Sequence, residues 1–221
     1  MFGAIADRYD LMNRVMTMGR DQRWRTQAAD VAGLSPGDSA LDVATGTGDL
    51  AFLLANRAGP EGRVVGVDFT PEMLRLARLK ATRRGQSVSF VQGDAEYLHF
   101  PSATFQAVTC AFGVRNFEDR QKGIDEMARV TAPGGRVVIL ELTPPQNPLA
   151  RRYMDDVVPR LGQLLARARD AYTYLPESAE QFPEPQELGA MMQNAGLRKV
   201  TYRLLNFGTV ALHWGTRPDV G

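Results

Sequence analysis

The sequence predicts an α/β protein whose mostly parallel sheet ends in an antiparallel hairpin. Between about residues 39 and 142, short apolar runs typical of buried strands alternate with segments of helical spacing. A glycine turn follows the first apolar run and opens a helix. Near the C-terminus, two further runs flank a short turn. The alternation indicates parallel strands, and the last two runs indicate a hairpin added at one edge.

A helical lead over about residues 2–32 comes first in the chain. Apolar runs then predict strands, with helices between them, near 39–44, 63–67, 88–92, 105–111 and 136–142. Each run is short and bounded by turn residues, as expected of a strand buried on both faces.

Cap residues and periodicity place several helix boundaries. Thr70 and Pro71 read as the N-cap and first position of a helix. Apolar positions at helical spacing predict a later helix, which Pro133-Gly134-Gly135 should end; they are Ile124, Met127, Ala128 and Thr131.

The C-terminal part of the chain predicts one more helix and the hairpin. The helix begins at about Pro185 and ends at Gly196. The hairpin strands are 198–205 and 209–214, joined by the turn 206–208.

Composition predicts a single intracellular domain over residues 1–221. The chain is 44% hydrophobic, with a formal net charge of +1, and it has no apolar run long enough to span a bilayer and no secretory signal. One cysteine excludes an internal disulfide framework, and with two histidines it argues against a structural zinc site. Cys110 lies within a strand-like run and is expected to be a small core residue.

The glycine turn is the strongest functional signal. The apolar run to Val43 leads into Gly46 and Gly48, where the backbone can turn tightly and approach a ligand. The helix that follows begins with unpaired N–H groups. A cofactor site is one interpretation, and plain strand-to-helix packing is the other. The pattern Gly46-x-Gly48-x-x-Ala51 also fits the permissive dinucleotide fingerprint.

Acidic residues around the turn indicate which cofactor it holds. Asp42 just before the turn and Asp49 at the helix start would oppose a pyrophosphate, so a cationic cofactor without phosphate is favoured. S-adenosylmethionine has a sulfonium and an ammonium group. Asp68 closes the next strand about twenty residues beyond the glycines, where an acid accepts from ribose hydroxyls.

A third acid follows the third predicted strand. Asp94 and Ala95 are placed to recognise an adenine amino group and a ring nitrogen, because ligands of parallel sheets lie at the carboxyl ends of the strands. As a single residue, Asp94 is also explained as a helix cap. Acids at three successive strand ends favour the cofactor interpretation, in which Asp42, Gly46 and Gly48 also belong to the cofactor site.

Six further motifs are spread along the chain: Tyr9-Asp10-Leu11-Met12-Asn13, Thr45-Gly46-Thr47-Gly48-Asp49-Leu50, Phe112-Gly113-Val114-Arg115-Asn116, Pro133-Gly134-Gly135-Arg136, Tyr174-Leu175-Pro176-Glu177-Ser178 and Val210-Ala211-Leu212-His213. Together they resemble the motifs of the menaquinone/ubiquinone C-methyltransferase family of the class I methyltransferases. The resemblance implies cofactor contacts from Thr47, Asp68, Asp94 and Ala95. It also implies methyl transfer from S-adenosylmethionine to a ring carbon of demethylmenaquinol, with the ubiquinone precursor as a second substrate. A helical lid over 1–32 and a substrate-side insertion over 143–183 complete the expected architecture.

Methyl transfer to carbon requires a donor or cation for the ring oxygen and an acceptor for the ring proton. Arg115 and Asn116 follow the fourth strand and are the first candidates. Pairing with Glu118 or Asp119 would instead make Arg115 structural. Further candidates for lining the pocket or relaying the proton are Tyr9, Asp170, Tyr172 and His213. His213 ends an apolar strand and is also explained as a core histidine.

Basic charge gathers in two segments that also carry apolar residues. Residues 1–27 hold five arginines against three aspartates, and residues 149–169 hold five against two. This pattern favours peripheral contact with an anionic membrane surface at the inner face of the plasma membrane, with solvated helix faces as the alternative. Neither segment interleaves aromatics as a nucleic-acid surface does. The sequence leaves open whether the chain forms a homodimer.

Two other function classes remain as alternatives. A nicotinamide-dependent oxidoreductase is disfavoured by Asp49 and by the terminal hairpin, since dinucleotide dehydrogenases usually continue with parallel units. A non-catalytic quinone- or membrane-binding module would bind lipid without any cofactor.

Overall fold

A seven-stranded sheet with the order β3-β2-β1-β4-β5-β7-β6 organises the protein. The computed structural model describes residue 17 and residues 19–144 and 182–219. The strands are β1 (Ser39–Val43), β2 (Arg63–Asp68), β3 (Val88–Gln92), β4 (Phe105–Ala111), β5 (Thr131–Leu142), β6 (Arg198–Leu205) and β7 (Val210–Thr216). The helices are α1 (Arg20–Ala32), α2 (Asp49–Ala58), α3 (Pro71–Arg84), α4 (Arg120–Val130) and α5 (Pro185–Asn194).

Strands β1 to β5 run parallel, and β7 and β6 form an antiparallel hairpin on β5. Val210 lies opposite both Leu142 and Leu205, so the hairpin tip shares an edge of the sheet with the carboxyl ends of β1 to β5. We call this edge the carboxyl edge. Because β1 lies between β2 and β4, the order of strands reverses there, and such a reversal opens a crevice at the carboxyl edge.

Two apolar clusters cover the two faces of the sheet. One joins α1, α2 and α3 to the sheet through buried side chains that include Trp24, Phe52, Leu74, Leu140 and Leu212. The other joins α4 and α5 through side chains that include Ile124, Met127, Ile139, Leu188 and Met192. Cys110 is buried in the second cluster, as predicted for a core residue. The predicted α/β fold with its terminal hairpin is confirmed.

The helical expectation at Thr131 is wrong. Helix α4 ends at Val130, and Thr131 begins β5 opposite Phe105 while its hydroxyl donates to the Met127 carbonyl at 2.7 Å. The register shifts between Phe105 and the next pair, Ala107 with Arg136. Pro133-Gly134-Gly135 therefore forms an irregularity inside the strand and does not end the helix.

The prediction of a helix between every pair of parallel strands fails once. Residues 93–104, between β3 and β4, form turns. The Asp94 side chain accepts from the Glu96 N–H at 2.9 Å, and Asp94 and Tyr97 form an isolated bridge. The carboxylate therefore closes a local turn and caps no helix.

Of the expected lid over 1–32, the structure describes residue 17 and residues 19–32. Helix α1 packs against α2 and β5, and its buried residues include Trp24, Ala28 and Ala32. This segment is therefore part of the core. Residues 1–16 and 18 of the lid, and residues 145–181 of the predicted insertion, lie outside the described part of the chain. None of the helices in the described ranges has the length and apolar character needed to cross a membrane.

The two glycines of the turn after β1 tolerate a side chain differently. Gly48 has φ +86°, and an added Cβ would lie 2.8 Å from Cζ of Phe90, whose ring packs edge-on against Phe52. Gly46 has φ +56° but open space around the Cβ position.

We therefore expect Gly48→Ala to lower the free energy of unfolding by about 2–5 kcal/mol, the sum of left-handed strain and overpacking. Gly46→Ala is the matched control, and strain alone should cost it about 1–2 kcal/mol. Urea unfolding monitored by circular dichroism measures both. Equal losses in the two variants would show that Phe90 yields and that the contact has no effect.

Candidate active site

A cavity of about 430 Å³ lies at the carboxyl edge, in the crevice beside β1. Its lining comes from the ends of β1, β2, β3 and β4, the segments after them and the first turn of α3: Ala44, Gly46, Val67, Asp68, Phe69, Thr70, Met73, Gly93, Asp94, Ala95, Glu96, Phe112, Gly113, Asn116, Phe117 and Glu118. The volume and the position are typical of a cofactor site in a parallel α/β sheet.

The cavity is acidic. Its described lining includes four carboxylates, Asp68, Asp94, Glu96 and Glu118, and neither a lysine nor an arginine. Carboxylates without compensating cations attract a positively charged ligand and oppose a phosphate. The chemistry of the lining therefore favours a cationic cofactor over a dinucleotide.

Asp68 links the glycine turn to the end of β2. Its Oδ2 accepts from the Gly46 N–H at 2.7 Å, and its Oδ1 accepts from the Thr70 N–H at 2.9 Å. Burial raises the pKa of this carboxyl above its ordinary value. A carboxylate oxygen accepts more than one hydrogen bond, so Asp68 keeps capacity for ligand hydroxyls. The structure brings Gly46, Asp68, Asp94 and Ala95 to one cavity, as the strand-end argument predicted.

Three residues assigned to the cofactor lie outside the described lining. Asp42 is buried behind the turn and accepts from Thr45 Oγ1 at 2.7 Å and Thr109 Oγ1 at 2.8 Å. Thr47 Oγ1 accepts from Lys80 Nζ at 2.8 Å. Gly48 faces the aromatic core, as described above. In this structure these residues shape the turn from behind and do not form the wall of the cavity.

The role predicted for Asp49 is wrong. Its Oδ1 lies 2.9 Å from Lys80 Nζ, so an opposite charge compensates the carboxylate. Burial acts to raise the pKa of Asp49, but Lys80 and Arg25 together hold it below the ordinary value. Asp49 therefore places no uncompensated charge at the start of α2, and the acidic lining is what opposes a pyrophosphate.

Arg115 pairs with Glu141, a partner other than the Glu118 or Asp119 that the structural alternative named. Its side chain is buried, and Nη1 donates to Glu141 Oε1 at 2.7 Å and to the Phe112 carbonyl at 2.6 Å. Arg115 is also absent from the described lining, whereas Asn116 is part of it. The Glu141 carboxylate thus compensates the guanidinium, and the expected free cation on the cofactor edge is not found.

Glu141 was missed by the sequence argument. It is 1% exposed in β5, and besides Arg115 it accepts from the Leu142 N–H at 2.9 Å. The available signal was an acid inside the apolar run Val137–Leu142, since a buried carboxylate in a central strand requires a partner.

The loops after β1 and β4 meet very closely at the cavity. Ala44 and Phe112 both have positive φ, +51° and +60°. At Gly113, an added Cβ would lie 2.5 Å from the Ala44 Cβ and 2.7 Å from the Cys110 sulfur. Arg115 binds the Phe112 carbonyl, so the ion pair with Glu141 fixes the loop that carries Phe112 and Asn116.

The structure places His213 in the core. Its Nε2 lies 2.9 Å from the Pro185 carbonyl and its ring stacks on Tyr202 at 5.1 Å. Burial lowers the pKa of this histidine to about 4. His213 is absent from the described lining, so its geometry agrees with the core-histidine alternative and not with a catalytic base. Tyr9, Asp170 and Tyr172 lie outside the described residues.

Comparison with known proteins identifies the family. The profile of the ubiE/COQ5 methyltransferase family matches residues 1–217. A demethylmenaquinone methyltransferase of Thermus thermophilus is 51% identical over 99% of this chain and 100% of its own length. The chain belongs to the ubiE/COQ5 methyltransferase family. The predicted methyltransferase and its cofactor, S-adenosylmethionine, are thereby confirmed.

Further relatives agree with this family assignment, and a solved structure agrees with the fold. A demethylmenaquinone methyltransferase of Deinococcus radiodurans is 49% identical over 98% of this chain and 91% of its own length. A ubiquinone/menaquinone biosynthesis C-methyltransferase UbiE of Teredinibacter turnerae is 41% identical over 98% and 90%. The fold matches a SAM-dependent methyltransferase of Aquifex aeolicus with a TM-score of 0.68 and 20% identity, over 93% of this chain and 96% of that one.

The residues of the methyltransferase cavity fit the cofactor. The acidic lining suits a molecule with a sulfonium and an ammonium group, and Asp68 would offer its carboxylate to ribose hydroxyls. Asp94 and Ala95 line the same cavity after β3, where they would offer an acceptor and an N–H to an adenine ring. Phe69, Phe112 and Phe117 add aromatic surface to the same wall.

Asp68→Asn should weaken S-adenosylmethionine binding about tenfold or more, because it removes charged hydrogen bonds worth about 1.5–3 kcal/mol. The matched control is Asp30→Asn, an exposed aspartate that pairs with Arg57 at 2.6 Å away from the cavity lining. Isothermal titration calorimetry measures both affinities, and circular dichroism checks the fold. Wild-type affinity in a folded Asp68→Asn protein would remove this residue from the site.

The buried ion pair gives a second prediction. Arg115→Met or Glu141→Leu alone should destabilise the protein by about 3–5 kcal/mol, since each leaves a buried charge without its partner. The double variant should lose clearly less than the sum of the two. Urea unfolding of the four proteins completes the cycle. Additive losses would mean that the two side chains do not act as a pair.

Proposed function

We propose that the protein transfers a methyl group from S-adenosylmethionine to a ring carbon of demethylmenaquinol and gives menaquinol, S-adenosylhomocysteine and the proton released from the ring carbon. The acidic cavity, whose described lining holds no basic residue, supports this function most directly, because it suits a cationic methyl donor. The substrate is supported by the relatives at 51% and 49% identity, which are named demethylmenaquinone methyltransferases. Relatives at about 40% are named for ubiquinone as well, so the ubiquinone precursor is the second candidate substrate.

The residues around the cavity suit an attack by carbon. The cofactor supplies a methyl group that its sulfonium makes electrophilic. A quinol ring carbon becomes nucleophilic when the neighbouring hydroxyl is hydrogen-bonded or loses its proton, so a polar group must hold that oxygen. Asn116 lines the cavity on its β4 side, and we assign this contact to its amide. Phe112 and Phe117 flank Asn116 and exclude water from the reacting atoms.

Arg115 takes a different role in this proposal from the one that the motif suggested. The guanidinium is bound by Glu141 and the Phe112 carbonyl, so it holds the loop in place and does not approach the ring oxygen itself. Arg115 is therefore a positioning residue, and Asn116 carries the contact with substrate.

The proposed substrate favours contact between the protein and a membrane. An isoprenoid tail keeps a quinol in the bilayer, so we propose peripheral contact between the protein and an anionic lipid surface. The arginine-rich segment 149–169 supports this contact by its composition and lies outside the described residues.

Methyl transfer to a short-tailed demethylmenaquinol in the presence of methyl-labelled S-adenosylmethionine tests the function. We expect the label on the ring carbon, identified by mass spectrometry and NMR. Asn116→Ala should lower kcat by about a hundredfold with nearly unchanged cofactor affinity, because a single donor to the reacting oxygen is lost. Asn56→Ala, a change of an exposed residue on α2, is the control. Label on oxygen, or no transfer, would refute the proposal.

A further inference from the structure

The turn between β6 and β7 carries an aromatic residue in an unfavourable position. Phe207 is 79% exposed and has φ 56° and ψ 27°, between Asn206 at φ +48° and Gly208 at φ +84°. Asparagine and glycine tolerate the left-handed region, whereas for phenylalanine it is strained. The side chain therefore costs conformational energy and recovers little of it by burial among the described residues, which indicates a further contact beyond them.

Hydrogen bonds brace this turn and hold Phe207 outward. Thr209 Oγ1 donates to the Asn206 carbonyl at 3.0 Å, and Asn206 Nδ2 donates to Thr209 Oγ1 at 2.8 Å. From α1, Arg20 Nη1 donates to Asn206 Oδ1 at 2.8 Å, and from the end of β5 the Thr143 N–H donates to the Thr209 carbonyl at 3.1 Å. The exposed ring is thus presented by a fixed support and not by a loose loop.

The turn lies at the carboxyl edge, as the cavity does. Leu142 and Leu205 both lie opposite Val210, which begins β7 directly after the turn. A surface that contacts the Phe207 ring therefore faces the same edge of the sheet that the cofactor and substrate enter.

The charge of the hairpin has one sign. Residues 198–216 include no acidic residue, and Arg203 lies near the turn, opposite Leu212, whereas Arg198 lies opposite Thr216 at the other end of the hairpin. Leu204 beside the turn is 44% exposed, and Arg20 of α1 is bound to Asn206. An exposed aromatic tip with an apolar neighbour and two nearby cations is the combination that binds at an anionic lipid interface.

We propose that the β6–β7 turn is a membrane anchor: Phe207 enters the interface of an anionic bilayer while Arg20 and Arg203 contact lipid headgroups, with the carboxyl edge toward the lipid. This inference rests on the proposed function, because a membrane-resident quinol gives the docking its purpose. A second copy of the chain is a less suitable partner for this turn than a lipid surface. Two such hairpins facing each other would bring their cations together and would offer no extended apolar face.

Sedimentation with vesicles of phosphatidylcholine and phosphatidylglycerol tests the anchor. Phe207→Asn should bind these vesicles about tenfold more weakly than the wild type, because the buried aromatic surface is lost. Asparagine suits the left-handed turn, so the melting temperature should be unchanged or higher. Phe207→Trp should keep the binding, as tryptophan prefers the interface. Leu79→Asn, which changes an exposed apolar residue of α3, is the matched control and should bind as the wild type does.

Other outcomes overturn the anchor. Unchanged vesicle binding by Phe207→Asn, or equal binding to neutral and anionic vesicles at low salt, contradicts it. A wild-type dimer in solution that Phe207→Asn dissociates would assign the turn to a second copy.

Methyl transfer to the short-tailed quinol without vesicles separates the two proposals. If Phe207→Asn retains that activity while vesicle binding falls, the anchor is supported. If the wild type shows none, the proposed function fails whatever the vesicle result.

Discussion

Asp42 accepts hydrogen bonds from Thr45 and Thr109, and these two bonds join the glycine turn to β1 and β4. The carboxyl is 1% exposed, and its burial raises the pKa to about 6. A carboxyl so deep in the core is tolerated only because its oxygens are hydrogen-bonded. The other features of the site depend on this connection, since β1 and β4 are the two strands between which the cavity opens.

Hydrogen bonds to three carboxylates fix the residues around the cavity. Asp68 fixes the turn from the front through the Gly46 N–H, and Asp42 fixes it from behind through Thr45. Across the crevice, Glu141 holds Arg115, which in turn holds the Phe112 carbonyl. A methyl donor therefore meets backbone and side chains whose positions are already set. Such preorganisation reduces the cost of ordering the site when the ligand binds.

Local sequence patterns were sufficient to predict most of the fold and the part of the site that Asp68 and Asp94 form. Alternating apolar runs predicted five parallel strands, and the two runs around 206–208 predicted the hairpin. Asp68 and Asp94 were found because a strand end determines which edge of the sheet a residue occupies. Thr131 was misassigned because helical spacing continues for one residue into a strand whose pairing is set by Phe105, far away in the sequence.

The partners of the charged residues could not be predicted in the same way. Asp49 finds Lys80 and Arg115 finds Glu141 across separations of 31 and 26 residues, so only the packed fold brings them together. The sequence suggested nearer partners for Arg115, and it suggested no compensating charge for Asp49. The same limit applies to Asp42 and Thr47, since the sequence does not show that their side chains bind Thr45, Thr109 and Lys80.

Hydrogen exchange of the segment 42–50 in Asp42→Asn tests most directly whether the buried carboxyl orders the cofactor turn. We expect exchange in this segment to be about tenfold faster or more. The asparagine side chain has one oxygen, whereas the Asp42 carboxylate uses two oxygens to accept from the hydroxyls of Thr45 and Thr109. Exchange in β6 and β7 should be unchanged, and Asp30→Asn should match the wild type throughout. Wild-type exchange of 42–50 in a folded Asp42→Asn protein would contradict the account.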